Sequence, residues 1–199
     1  HSRSKLVFDP AYLQHAEIEP VDWKEFYPNA KEELPPDMPE PRGKQVVVTT
    51  FEDSDHAGDT VTRRSRTGVL IYCNSAPILW YSKKQGSIET SSFGSEFSAL
   101  KTAVELTEGI LYKLRMMGIP VEMPAMIKGD NMSVIRNSSV PESMLKKKSN
   151  SIAYHYVRER AAMGKVHMSY EPTGSNVADM LTKIQSGPVR RELARKVTY

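Results

Sequence analysis

Cysteine is nearly missing: Cys73 is the one example in 199 residues. A single thiol excludes an internal disulfide and suits a reducing compartment. No apolar run approaches the length that crosses a bilayer, so no membrane partner is expected. The first residues, His1-Ser2-Arg3-Ser4, include neither an initiator Met nor an apolar signal core. The chain therefore reads as a fragment or a processed product that is not secreted. Apolar residues make up only 39% of the total, low for a compact core along the full length, so part of the chain is expected to be irregular. Neither sign of charge dominates, since 27 Lys and Arg against 24 Asp and Glu leave a formal +3. That balance permits nucleic-acid binding without arguing for it. No internal repeat is visible.

Composition shifts near residue 44. Residues 1–44 hold Pro35-Pro36, Pro39 and Pro41 beside acids and one aromatic cluster, Val21-Asp22-Trp23-Lys24-Glu25-Phe26-Tyr27. Proline denies helix and sheet an N–H donor, which predicts an extended connecting arm over 1–44 whose aromatics dock it on a neighbour. From residue 45 to 199 the pattern is that of a folded domain. Residues 46–51 are β-branched and apolar, a buried strand that ends just before Asp53. Residues 66–72 and 78–82 read as two further strands around a turn at 74–77. Helical spacing of Phe97, Leu100, Val104, Leu111 and Leu114 predicts a long helix over 92–117, ended by Gly118. A strand at 125–128, a helix from Asp130 to Ile135, a helix over 149–163, a strand at 166–170 and helices over 175–183 and 188–196 complete the chain. Three consecutive strands imply an antiparallel meander, and strands separated by helices imply parallel additions. The expected fold is α/β, a mixed five-stranded sheet flanked by helices. Trp80 and Cys73 are expected in its core.

Four carboxylates stand in recognisable settings: Asp53 in Phe51-Glu52-Asp53-Ser54-Asp55, Glu96 in Gly94-Ser95-Glu96-Phe97, Asp130 in Gly129-Asp130-Asn131, and Asp179 in Val177-Ala178-Asp179-Met180. Singly, each has a bland explanation. Asp53 suits a turn, Glu96 a first helical turn, Asp130 an N-cap and Asp179 a solvated helix face. Together they could meet at one edge of a sheet. Four acids in one place repel one another unless cations fill the cluster, and two magnesium ions would do so. Two such ions suit phosphodiester cleavage.

At these residues the chain resembles the ribonuclease H domain of copia-type retrotransposon Pol polyproteins. The similar segments are Asp53-Ser54-Asp55-His56-Ala57-Gly58-Asp59 with Arg63-Arg64-Ser65-Arg66-Thr67-Gly68, Trp80-Tyr81-Ser82-Lys83-Lys84-Gln85, Gly94-Ser95-Glu96-Phe97, Gly129-Asp130-Asn131, Tyr154-His155-Tyr156-Val157 and Asn176-Val177-Ala178-Asp179-Met180-Leu181-Thr182-Lys183. His56 stands where relatives often carry an aromatic residue, and Gly94 where many have Glu. Residues 1–44 resemble the segment that links reverse transcriptase to this domain. Cellular ribonucleases H are less similar. They carry a mobile His before the last Asp, and Glu171-Pro172-Thr173-Gly174-Ser175 has none.

The resemblance implies a ribonuclease H-like fold and hydrolysis of the RNA strand of RNA–DNA hybrids during reverse transcription. It implies that Asp53 bridges two magnesium ions, for which manganese can substitute. Glu96 and Asp130 would hold one beside the attacking water, and Asp179 the other at the leaving 3′ oxygen, with a 5′ phosphate left on the RNA. The expected partners are the hybrid and the reverse transcriptase part of the same polyprotein. The expected location is cytoplasmic, in virus-like particles for instance, or nuclear. Arg63, Arg64, Arg66, Lys83 and Lys84 are candidate phosphate contacts or a charged strand edge. Lys146-Lys147-Lys148 is a candidate hybrid-binding loop, and Ser95 and Asn131 are candidate donors to 2′-hydroxyls. Transposases place their glutamate on a late helix, and proofreading exonucleases need an Asp-x-Glu pair that Asp53-Ser54-Asp55 does not supply. The alternative is a catalytically silent remnant that binds hybrid or docks on the polymerase.

Overall fold

The computed structural model describes residue 18, residues 21–145 and residues 148–197. Its elements, in chain order, are β1 (Val48–Asp55), β2 (Arg66–Cys73), β3 (Ala76–Lys84), α1 (Ser92–Met116), β4 (Ala125–Gly129) and α2 (Met132–Ser139). A 3-10 turn (Lys148–Asn150) then leads into α3 (Ser151–Ala162), β5 (Val166–Tyr170), α4 (Asp179–Thr182) and α5 (Gly187–Val197). The five strands form one sheet in the order β3-β2-β1-β4-β5. The β1–β2 and β2–β3 pairs are antiparallel, while β1–β4 and β4–β5 are parallel. This is the mixed sheet expected from the element order.

β1 and β2 are buried almost end to end because both faces of the sheet are covered. On one face Val48, Val69, Ile71 and Ile127 pack against Phe97, Leu100, Val104 and Leu111 of α1. On the other, Phe51, Leu70 and Tyr72 meet Val177, Ala178 and Leu193. The period-2 alternation of β1 thus sends Thr50 and Glu52 toward α1, and Phe51 and Asp53 toward α4 and α5. A buried hydroxyl pair, Thr50 Oγ1 to Thr107 Oγ1 at 2.7 Å, sits between β1 and α1. Ser91 caps α1, its side chain accepting from the Gly94 N–H. At the other end Gly118 takes φ +70°, with Gly118 N donating to Arg115 O and Ile119 N to Leu114 O. That bond pair is the Schellman ending, which favours glycine because a Cβ is disfavoured in the left-handed region.

Several expectations are corrected. β1 extends through Asp55, so Asp53 lies within a strand and is held by its pleat. Trp80 is 71% exposed. It pairs with Leu70 on the α4/α5 side, but β3 is the sheet edge and the short α4 does not cover it. The segment expected as a helix over 175–183 contains only one turn of helix, α4. Cys73 is buried on β2 as expected.

Residues 21–44 have no helix or strand, and they lie on the domain. Trp23 is buried over the Arg158 guanidinium, 4.9 Å from the ring centre. The Tyr27 hydroxyl is 2.9 Å from His155 Nδ1, and Glu32 accepts a two-pronged ion pair from Arg115. Arg158 itself is fully buried and donates to the carbonyls of Asn137, in the last turn of α2, and Val140, just beyond it. No helix among the described residues is long and apolar enough to cross a membrane.

Candidate active site

Parallel pairing of β1 with β4 brings the carboxyl ends of two strands side by side, with Phe51 opposite Lys128. Two residues further, β1 carries Asp53; β4 ends at Gly129 and presents Asp130. The N-terminal part of α1 adds Glu96. Asp53, Glu96 and Asp130 each offer one carboxylate oxygen, and these three atoms lie within 4.8 Å of one another. Carboxyl ends of adjoining parallel strands are the usual place for a site in an α/β sheet.

Burial makes this cluster electrostatically demanding. Glu96 is pushed up to about 9, first by burial and then by the charges of Asp53 and Asp130. Asp53 is pushed up to about 6 by burial, opposed by the Thr182 hydroxyl bond and the Lys183 charge. Glu52, absent from the expected site, is fully buried behind the cluster. Burial, then Glu96, Asp53 and Asp130, hold its carboxyl well above the usual range. Its Oε2 has no hydrogen-bond partner, and its other oxygen occupies the space a Cβ would need at Gly129. A neutral carboxyl can tolerate that position where a carboxylate would not.

Asp179 stands slightly apart. It opens α4 and is joined to Asp53 through Lys183, whose Nζ is 2.7 Å from Asp179 Oδ1 and 3.0 Å from Asp53 Oδ1. Thr182 donates its hydroxyl to Asp53 Oδ2, and Gln185 Nε2 donates to Asp179 Oδ2 at 3.0 Å. Asn176 pins this segment to β1, donating from Nδ2 to the Glu52 carbonyl at 2.8 Å while its Oδ1 accepts from Ala178 N. Gly68, opposite Asp53 on β2, makes the approach possible. A Cβ there would lie 2.7 Å from Thr182 Cγ2 and 2.9 Å from the Ala178 carbonyl oxygen.

The other expected residues are variously placed. Glu96 is the fifth residue of α1, beyond the first turn, so it does not serve the helix dipole there. Asn131, not Asp130, caps α2, its Oδ1 accepting from Ser133 N and Val134 N. Asp130 Oδ2 instead accepts from the Thr173 hydroxyl at 2.6 Å. Ser95 is buried and donates to the Ser92 carbonyl at 2.9 Å. Arg63, Arg64, Lys83 and Lys148 are exposed. Lys84 is exposed as well but ion-paired with Asp59, and Arg66 Nη1 reaches Ser82 Oγ at 3.4 Å. Lys146 and Lys147 lie outside the described residues.

Lys183, Thr182 and Thr173 were not expected in the site. Lys183 had a readable signal, its i,i+4 spacing from Asp179. Thr173 had none, because its bond to Asp130 joins residues 43 positions apart.

No protein-family model matches the chain. It is 28% identical over 156 residues to the retrovirus-related Pol polyprotein of transposon RE2 from Arabidopsis thaliana, which covers 78% of this chain and 11% of the relative. A similar polyprotein, of transposon TNT 1-94 from Nicotiana tabacum, is 28% identical over 143 residues, 71% of this chain and 11% of its own length. The chain therefore spans about a tenth of the length of these polyproteins. Among solved structures, the N-terminal RNase H domain of a Mycobacterium tuberculosis protein superposes with TM-score 0.54 at 14% identity, covering 76% of this chain and 98% of that one. An RNase H1, LC11, in complex with an RNA/DNA hybrid superposes with TM-score 0.52 at 17% identity, covering 69% and 94%. The chain is a homologue of retrovirus-related Pol polyproteins from copia-type transposons, with the fold of a ribonuclease H domain.

Proposed function

We propose that this domain is an endonuclease that hydrolyses the RNA strand of RNA–DNA hybrids with two divalent cations. It would act during reverse transcription by the polymerase part of the same polyprotein. The observation that carries this reading is the convergence of Asp53, Glu96 and Asp130 at the carboxyl ends of β1 and β4, in a fold shared with an RNase H1 solved on a hybrid.

The donor set fits magnesium or manganese. All the donors are oxygens, which hard cations prefer, and the buried cluster carries repulsion that a divalent ion would relieve. Asp53, Glu96 and Asp130 would hold one ion, and Asp53 with Asp179 the other. Bound there, the cations supply an activated water and stabilise the leaving 3′ oxygen. The chain's own residues orient the donors. Thr173 directs Asp130, Thr182 and Lys183 direct Asp53, and Asn176 holds the α4 segment against β1. Arg63, Arg64, Arg66, Lys83, Lys84 and the Lys146–Lys148 run would contact phosphates, giving salt-dependent binding without sequence preference. Selection of RNA requires contacts to the 2′-hydroxyl. Asn131 suits that role because its cap uses only the side-chain oxygen.

A labelled hybrid incubated with magnesium tests this. The expected products are RNA fragments with 5′ phosphates and an intact DNA strand. Asp53→Asn should lose cleavage while hybrid affinity stays nearly unchanged. Calcium should bind and support no turnover, since its coordination is larger and looser. Hybrid binding with no magnesium-dependent cutting by the wild-type chain would favour a silent binding module instead.

A further inference from the structure

We propose that the Lys183 ammonium is a tethered cation seated in the second half of the acid cluster, where it competes with a divalent ion. This rests on the reading of the four acids as metal ligands. The two halves of the cluster differ. Among the described residues, the acids that converge closely enough to share an ion are Asp53, Glu96 and Asp130, without Asp179. Between Asp53 and Asp179 the space is taken by Lys183 Nζ, at 3.0 Å and 2.7 Å from one oxygen of each.

The remaining oxygens of these two acids are engaged by the same short segment, Thr182 on Asp53 and Gln185 on Asp179. All four oxygens are thus satisfied by residues 182–185. Asp179 therefore has its counter-charge within the fold. A point charge with three donors suits this position, since it can satisfy both acids at once.

The position also allows release. Lys183 follows the last residue of α4, and its side chain is 38% exposed. A flexible four-carbon stem can carry the ammonium to water without moving the backbone. A divalent ion entering between Asp53 and Asp179 must displace it, so its net gain is reduced by the attraction lost. The first ion, in the three-acid half, shares only Asp53 with the ammonium and draws its other two ligands, Glu96 and Asp130, from outside the Lys183 bonds. Ion binding is accordingly stepwise, and Lys183 keeps Asp53 and Asp179 together until the second ion arrives.

The experiment is a calorimetric titration of manganese into the whole chain without substrate. It compares wild type with Lys183→Met and Lys183→Arg. In the wild type the second ion should bind at least about tenfold more weakly than the first. Lys183→Met should tighten the second step by at least about tenfold and the first by much less, since the first shares only Asp53 with the ammonium. Lys183→Arg retains the charge and should stay close to wild type. If circular dichroism shows Lys183→Met to be unfolded, Lys183→Gln takes its place. A second step in the folded neutral variant that is unchanged or weaker, or one equally tightened in Lys183→Arg, overturns the inference. A wild type that takes up one ion and a neutral variant that behaves identically would sink this inference alone. A wild type that takes up no manganese would sink the metal-site reading with it.

Discussion

Asn131 caps α2 while Asp130 does not, and this separates stability from chemistry at adjacent positions. Asn131→Ala removes the acceptor for two orphan N–H groups and should cost about 1 kcal/mol in urea unfolding. Asp130→Asn should cost little, and in chelator it should stabilise slightly, because the Asp130 charge adds to the repulsion felt by Glu96 and Glu52. The same substitution should weaken manganese binding severely. If Asp130→Asn destabilised as much as Asn131→Ala and bound manganese normally, Asp130 would be structural after all.

At the scale of the element, α4 is the weak point on which the site depends. Four residues cannot sustain a helix alone, so tertiary contacts must hold it. Those contacts are the Asn176 bond to β1, the Ser82 hydroxyl donating to the Leu181 carbonyl at 2.6 Å, and the close approach at Gly68. Gly68→Ala should push α4 off the sheet, at a cost of about 1–3 kcal/mol. It should also loosen divalent binding, because Asp179 rides on that turn. Thermal denaturation with and without manganese reads both effects. A fully stable Gly68→Ala protein with unaltered metal affinity would mean that α4 can shift without consequence.

For the molecule as a whole, the buried acids set the pH response. Glu96 moves from an ordinary 4.5 up to about 9 on folding, Asp53 from 3.8 up to about 6, and Glu52 shifts in the same direction. A raised acid binds its proton more tightly in the folded state. Its contribution is therefore complete below the unfolded value and is lost as pH climbs to the folded one. In chelator, the melting temperature should fall steadily from about pH 5 to pH 9. Excess magnesium or manganese should recover much of the loss at the alkaline end, because ions bind the ionised acids of the folded state. Glu96→Gln should flatten the chelator curve. Scanning calorimetry across that range checks the sign, and stability rising toward pH 9 without metal would contradict it.

Strand and helix order and the mixed topology were legible in the sequence, since each rests on local pattern; the four acids were picked out through the resemblance, and of them Asp53, Glu96 and Asp130 converge closely. Alternating and helical periods mark the elements, and their order selects the pairing. The tertiary structure decided what depends on residues far apart in the chain. Glu52 sits one position from Asp53, yet only the packing of α1 against β1 buries it and holds its carboxyl well above the usual range. Trp80 looks like core by type, and only its place on an edge strand exposes it. Lys183 and Asp53, 130 positions apart, meet because Gly68 admits α4 to the sheet. A period along the chain states which face a side chain takes; what lies across from that face is set by packing.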